Sequence, residues 1–265
     1  MISIMKNVIG KIVFIVSRKI LMLLGFQISL GNQIRQYPEL TISENDFCNE
    51  VFGGSLTLTS VESLKLLAIS CKYVKFNKIE GDFVETGIWR GGSSIVAKYI
   101  FQDSKKMYLY DTFDGMTEPS DFDYRIGETS SKATVEKWES LITDTGNKWV
   151  AASLEEVRKN FSRFNLLDDS IHFVKGDIKF TLKSVENLPT HVSILRIDTD
   201  FYDSTLLSLE TFWPLLTKGG VLILDDYAHW DGARRAVDEY FQQNGLGNLI
   251  KVPIAGGGGR LVLKP

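Results

Sequence analysis

The chain has 265 residues, 44% of them hydrophobic, with a formal charge of −3 and a pI near 5.7. That length suits one large α/β domain with a substantial core, and the slight acidity removes the electrostatic reason to expect nucleic acid as a partner. Two cysteines, Cys48 and Cys71, and three scattered histidines, His172, His191 and His229, exclude a disulfide framework and a cysteine- or histidine-rich metal site. A small-molecule partner and a reducing, cytoplasmic setting are the expectation.

Residues 6–30 are apolar and basic, but Lys11, Arg18 and Lys19 interrupt them. No run of about 18 apolar residues results, so a membrane span is not expected, and no small-residue cleavage site marks a secretory signal. Lys11 and Arg18 stand at a spacing that would put them on one face of a helix. Peripheral contact with a membrane surface and packing on the chain's own domain or on a second subunit are both open. Residues 1–54 are read as this extension with a helical arm, and residues 55–265 as the main domain.

Ser60 stands before apolar residues at helical spacing, which predicts a helix over 60–76. From there strand-like and helical runs alternate. Strands are expected at 82–85, 106–110, 170–175, 192–197, 220–224, 249–254 and 260–263, and helices at 92–102, 153–164, 179–187, 204–216 and 232–243. Short apolar runs separated by helices imply crossover units and a mainly parallel sheet buried on both faces. The ligand site then lies outside the carboxyl ends of the strands. Residues 114–149 break the rhythm: long, polar and charged, they read as a functional lid or a disordered insert, placed after the second strand and so over that site. Gly256 to Gly259 read as a tight turn between the last two strands.

After the strand "GDFVE" the chain runs "TGIWRGGSS" into a helix, presenting Glu85, Thr86, Gly87, Gly91 and Ser93 at a strand-to-helix turn. Unpaired N–H groups at such a helix start suit a polar or anionic ligand. The dinucleotide fingerprint needs its middle glycine where Trp89 stands, and the indole obstructs a pyrophosphate. Asp111 closes the second strand roughly 20 residues past the loop, where an acid accepts hydrogen bonds from ribose hydroxyls. A nucleoside without a pyrophosphate is implied, and S-adenosylmethionine satisfies that description. Asp177, after the third strand, is placed to reach the adenine or to cap a helix.

The fourth strand ends in "LRIDTDFYDST" and the fifth in "LILDDYAHW". Asp198, Asp225 and Asp226 therefore emerge at one sheet edge, and carboxylates without histidine or thiolate suit a hard ion such as Mg2+. Asp203 reads as a cap of the following helix. Asp198-Thr199-Asp200 also fits the DxD pattern of a metal-dependent glycosyltransferase, but that alternative leaves the glycine loop, Asp111 and the Asp225-Asp226 pair without work.

Three segments, "GDFVETGIWRGGSS", "YLYDTFDGM" and "LRIDTDFYDSTLLSLETFWPLLTKGGVLILDDYAHWDGARRAVDEYF", resemble the macrocin O-methyltransferase (TylF/MycF-like) group of metal-dependent sugar O-methyltransferases. The resemblance runs from about residue 55 to about residue 245 and leaves out the N-terminal forty. It implies a Rossmann-like class I methyltransferase, with a seven-stranded, mostly parallel sheet and helices on both faces. It further implies S-adenosylmethionine as methyl donor, Mg2+ held by Asp198, Asp225 and Asp226, a sugar hydroxyl in a glycan, glycolipid or glycosylated metabolite as acceptor, and a homo-oligomer. Catechol-type relatives place a lysine base where this chain has Phe201, so the resemblance to the sugar enzymes makes Asp200 the candidate base. Tyr124, Arg125 and Trp138 in the lid are candidate acceptor contacts.

Overall fold

The computed structural model describes residues 37–265; the expectations for residues 6–30 lie outside them. Glu39–Pro265 form one compact unit. Its elements in chain order are α1 (Ile42–Gly53), α2 (Val61–Phe76), β1 (Asp82–Thr86), α3 (Gly92–Phe101), β2 (Met107–Asp111), α4 (Lys132–Glu139), α5 (Leu154–Arg163), β3 (Ile171–Lys175), α6 (Ile178–Thr181), β4 (Val192–Ile197), α7 (Tyr202–Phe212), β5 (Leu216–Leu224), α8 (Asp231–Gln243), β6 (Val252–Pro253) and β7 (Arg260–Leu263). Helix α1, grouped above with the N-terminal extension, packs on α2 and α3 and belongs to this unit.

The seven strands form one sheet in the order β3-β2-β1-β4-β5-β7-β6, with β7 antiparallel to β5 and β6 and the other pairings parallel. This is the expected seven-stranded, mostly parallel sheet. Order reverses between β1 and β4, which opens a crevice beyond their carboxyl ends. Every residue of β4 is buried, as a central parallel strand requires. Leu195, Ile197, Leu222 and Leu224 pack with α7 and α8 residues such as Leu209, Phe212 and Val237, while α2 lies against β4 and β5 on the other side.

Three expectations need correction. The helix expected over 179–187 is only the single turn α6 and a 3-10 turn, Val185–Asn187, with the Asn187 side-chain Nδ2 donating to the Thr181 carbonyl at 2.8 Å at the end of α6. The strand expected over 249–254 shrinks to Val252–Pro253 at the sheet edge, where the missing N–H of Pro253 is tolerated. Asp203 does not cap α7: that helix starts at Tyr202, and Asp203 lies in its first turn, paired with Lys179 at 2.9 Å. Among the described residues no helix is long and apolar enough to cross a membrane.

Candidate active site

The register brings Thr86, Ile197 and Leu224 level on β1, β4 and β5. The residues just beyond them, Gly87, Asp198 and Asp225, therefore leave the sheet side by side. The Asp198 N–H donates to the Thr86 carbonyl at 2.9 Å, and the Asp225 N–H to the Ile197 carbonyl at 3.0 Å. Only glycine fits at position 87: its φ is +79°, and a Cβ would stand 1.8 Å from the Asp198 carbonyl oxygen.

Strand periodicity then sorts the charges. Glu85 and Arg196 are cross-strand partners, and Asp198 and Asp225 lie two residues past Arg196 and its partner Ile223, so these four share one sheet face. The Arg196 guanidinium meets Glu85 at 2.6 Å, Asp198 at 2.6 Å and Asp225 at 2.7 Å. Asp225 also accepts a hydrogen bond from the Thr59 hydroxyl at 3.1 Å. Glu85 is 1% exposed, held by Arg196 and the Ser94 hydroxyl, and does not line the cavity beyond the strand ends.

A cavity of about 630 Å³ opens over these strand ends. Gly87, Ser93, Asp111, Asp177, Asp198, Asp200, Asp225 and Asp226 all line it. Thr86 and Gly91 do not: the Thr86 hydroxyl bonds Ser208 at 3.1 Å, and Gly91 abuts Phe161 and Val157. Asp111 binds the glycine loop itself, accepting the Ile88 and Trp89 N–H groups at 2.9 Å each. Burial pushes its carboxyl up, opposed by those N–H groups and by that of Phe113. Asp177 caps α6 through the Lys179 N–H at 2.8 Å and also faces the cavity.

Oxygens of Asp198, Asp225 and Asp226 lie within 4.8 Å of one another. Burial, with the charges of Asp225 and Asp200, pushes Asp198 up to about 8 against the pull of Arg196. Burial likewise drives Asp226 well above the carboxylate range, helped by Asp200, Asp198 and Asp225. Asp200 is raised by burial, against hydrogen bonds from Asp226 and Trp230. The Arg196 guanidinium faces several crowded carboxylates, and an all-oxygen donor set of this charge suits a hard divalent cation. Asp200 is backbone-strained, at φ +61°, and its N–H donates to Asp226 at 3.2 Å.

The insert 114–149 supplies Gly115, Met116, Thr117, Arg125 and Trp149 to the cavity wall. Its two ends are joined, Met116 N–H to the Trp149 carbonyl at 3.1 Å and Asn147 N–H to the Asp114 carbonyl at 2.8 Å. Trp149, Phe201 and Trp230 form an apolar cluster beside Asp200, with ring centroids 5.4–6.1 Å apart. Of the lid candidates, Arg125 reaches the cavity and lies 4.2 Å over the Trp230 ring. Trp138 instead donates to the Met116 carbonyl at 2.9 Å, inside the insert. Arg196 and Thr59 carry no assignment in the sequence reading; an arginine inside a buried strand was the available signal for the first. The glycine turn 256–259 joins the last strands as expected and also lines the cavity.

The sequence model of the family described as Macrocin-O-methyltransferase (TylF) matches residues 33–255. The chain belongs to this family. The match reaches further toward the N-terminus than the three motif segments do. Among TylF-like relatives, the 8-demethyl-8-(2,3-dimethoxy-alpha-L-rhamnosyl)-tetracenomycin-C 4'-O-methyltransferase of Streptomyces olivaceus is 35% identical over 73% of this chain and 70% of its own length. Mycinamicin III 3''-O-methyltransferase of Micromonospora griseorubida is 31% identical over 65% of each chain. The solved structure of the O-methyltransferase NovP superposes with a TM-score of 0.68 at 29% identity, covering 78% of this chain and 81% of NovP. As a TylF-family member the chain is an O-methyltransferase, and membership implies S-adenosylmethionine as methyl donor. It also displaces the glycosyltransferase reading of Asp198-Thr199-Asp200.

Proposed function

We propose that this O-methyltransferase methylates a sugar hydroxyl of a glycosylated small molecule, with Mg2+ held by Asp198, Asp225 and Asp226 and with Asp200 as general base. The carrying observation is the convergence of those three carboxylates at the mouth of β4 and β5, in the same cavity as the β1 glycine loop and Asp111. Relatives named for rhamnosyl and other glycosylated acceptors support the substrate class. The same proposal places the enzyme in the cytoplasm, where two free, buried cysteines fit reducing conditions. It also holds the enzyme to be a homo-oligomer, with residues 6–30 carrying any peripheral membrane contact.

S-adenosylmethionine supplies an electrophilic methyl on a sulfonium sulfur, and a divalent ion, when bound, lowers the pKa of a coordinated hydroxyl. The chain's own residues do the rest. Gly87 leaves bare backbone beside the donor site, and Asp111 fixes the loop that lines it. Ser93 and Asp177 complete the donor wall. Asp200 accepts the proton of the attacking hydroxyl as the new C–O bond forms and the S–C bond breaks, its electron pair returning to sulfur. A carboxylate of ordinary pKa is a weak base for an alcohol, and burial raises Asp200 toward a more useful range. Trp149, Phe201 and Trp230 keep water from the reacting oxygen, and Arg125 stands where the acceptor enters.

A panel of rhamnosides and other glycosides, incubated with the protein, Mg2+ and S-adenosylmethionine, is expected to give a methyl ether on a sugar and an equal amount of S-adenosylhomocysteine. Methylation confined to non-sugar hydroxyls such as catechols would overturn the acceptor assignment.

A further inference from the structure

Helix α7 begins with Tyr202 directly after the Asp198–Phe201 turn, and its own N-cap residue, Phe201, makes no side-chain cap bond. The first N–H groups of a helix need acceptors. Here one comes from the insert: the Asp123 carboxylate takes the Tyr202 N–H at 2.7 Å. Its other oxygen is fixed by the Ser120 N–H at 2.7 Å and the Ser120 hydroxyl at 2.8 Å. Asp123 is 1% exposed.

The next residues reach the second acidic loop. The Tyr124 carbonyl accepts from the Asp231 N–H at 2.9 Å, the Ile126 N–H donates to the His229 carbonyl at 3.0 Å, and Arg125 pairs with Trp230 between them. Residues 123–126 thus join the turn that carries Asp200 to the loop that follows Asp225 and Asp226. A further observation marks the closeness of this joint. A Cβ on Gly232, at the start of α8, would stand 2.0 Å from the Asp123 oxygen that caps α7. Gly232 has no positive φ, so the helix backbone does not demand glycine there; the carboxylate does.

We infer that Asp123 is a positioning residue for the reaction: by capping α7 across the sheet edge, it holds the Thr199–Phe201 turn in the left-handed conformation that aims Asp200. The inference rests on the reading of Asp200 as the base. An aspartate tolerates φ +61° at modest cost, so how firmly it keeps that conformation depends on how its flanks are fixed. One flank is the Asp198 N–H on β1, and the other is the Tyr202 N–H on Asp123.

The test is a double-mutant cycle with Asp123→Ala and Gly232→Ala. Each single change is expected to lower kcat about 30- to 100-fold, the scale of a misplacement of about 1 Å, with KM for S-adenosylmethionine within about twofold. The double variant is expected to be no slower than Asp123→Ala, because the severe clash of a Cβ at 232 is with the Asp123 oxygen, at 2.0 Å, whereas the Tyr202 nitrogen, at 3.1 Å, needs to give by only a few tenths of an ångström. Asp123→Asn keeps an oxygen for the Tyr202 N–H but turns its NH2 toward the Ser120 N–H, and is expected to recover only part of the rate lost in Asp123→Ala. Amide exchange over 200–206 is expected to quicken in both single variants. A wild-type kcat in Asp123→Ala, or losses that multiply in the double variant, would overturn the inference. If Asp123→Ala does not fold, Gly232→Ala decides it: a wild-type rate in Gly232→Ala, or amide exchange over 200–206 unchanged from the wild type, sinks it. An inert Asp200→Asn beside a fully active Asp123→Ala removes the positioning role alone; an active Asp200→Asn removes the base beneath it.

Discussion

Asp200→Asn is expected to lower kcat by about 10²- to 10⁴-fold, the range for loss of a positioned general base. Its affinity for Mg2+ is expected to fall by less than about tenfold, because Asp200 lies outside the group of three converging carboxylates and acts on Asp198 and Asp226 only through its charge. Asparagine is the informative replacement. It tolerates the left-handed backbone that Asp200 adopts at φ +61°, so the turn keeps its shape. It also retains an acceptor for the hydrogen bond from Trp230. What is removed is the proton acceptor of the reaction, together with the negative charge beside Asp226. Steady-state kinetics with titration calorimetry checks both halves, and a variant with more than about a tenth of the wild-type kcat would strip Asp200 of the role.

Arg196→Met is expected to be the most damaging single change to stability. The guanidinium compensates Glu85, Asp198 and Asp225 from a position that is 2% exposed. Taking one partner from a buried ion pair costs about 3–5 kcal/mol, since the charge left behind is neither solvated nor paired. For a domain of this size that corresponds to a melting temperature lower by roughly 6–20 °C. Arg196→Lys keeps the charge, but a single ammonium cannot span three carboxylates as a planar fork does, so partial rescue is expected. Thermal unfolding of the two variants distinguishes this account from a merely space-filling role, in which methionine would be tolerated and lysine would not.

The strands were legible because burial on both faces writes them as apolar runs; 192–197 and 260–263 match β4 and β7 residue for residue. The metal-type carboxylates were legible because they sit at the ends of such runs. Arg196 was not, since what it pairs with is decided by register: Glu85 is its partner only once β1 and β4 are aligned. Asp123 was hidden for a similar reason. In sequence it is one acid in a polar insert, and its hydrogen-bond partner lies on another element, at Tyr202. The misreading of Asp203 has the same origin, because a helix capped from a distance offers no local sign of where it begins. The glycine run at 256–259 reads as a turn from composition, but its place on the cavity wall depends on β7 folding back beside β5.

The central claim is that the acidic cluster is a divalent-cation site serving methyl transfer to a sugar hydroxyl. It is tested most directly by the initial rate of S-adenosylhomocysteine release against free Mg2+, starting from metal-stripped protein with a methylatable glycoside present. The predicted curve rises from near zero to saturation, and Asp225→Asn moves its midpoint to at least about tenfold higher Mg2+ or abolishes it. A full rate in the stripped protein, unchanged by added Mg2+ and by Asp225→Asn, would contradict the account.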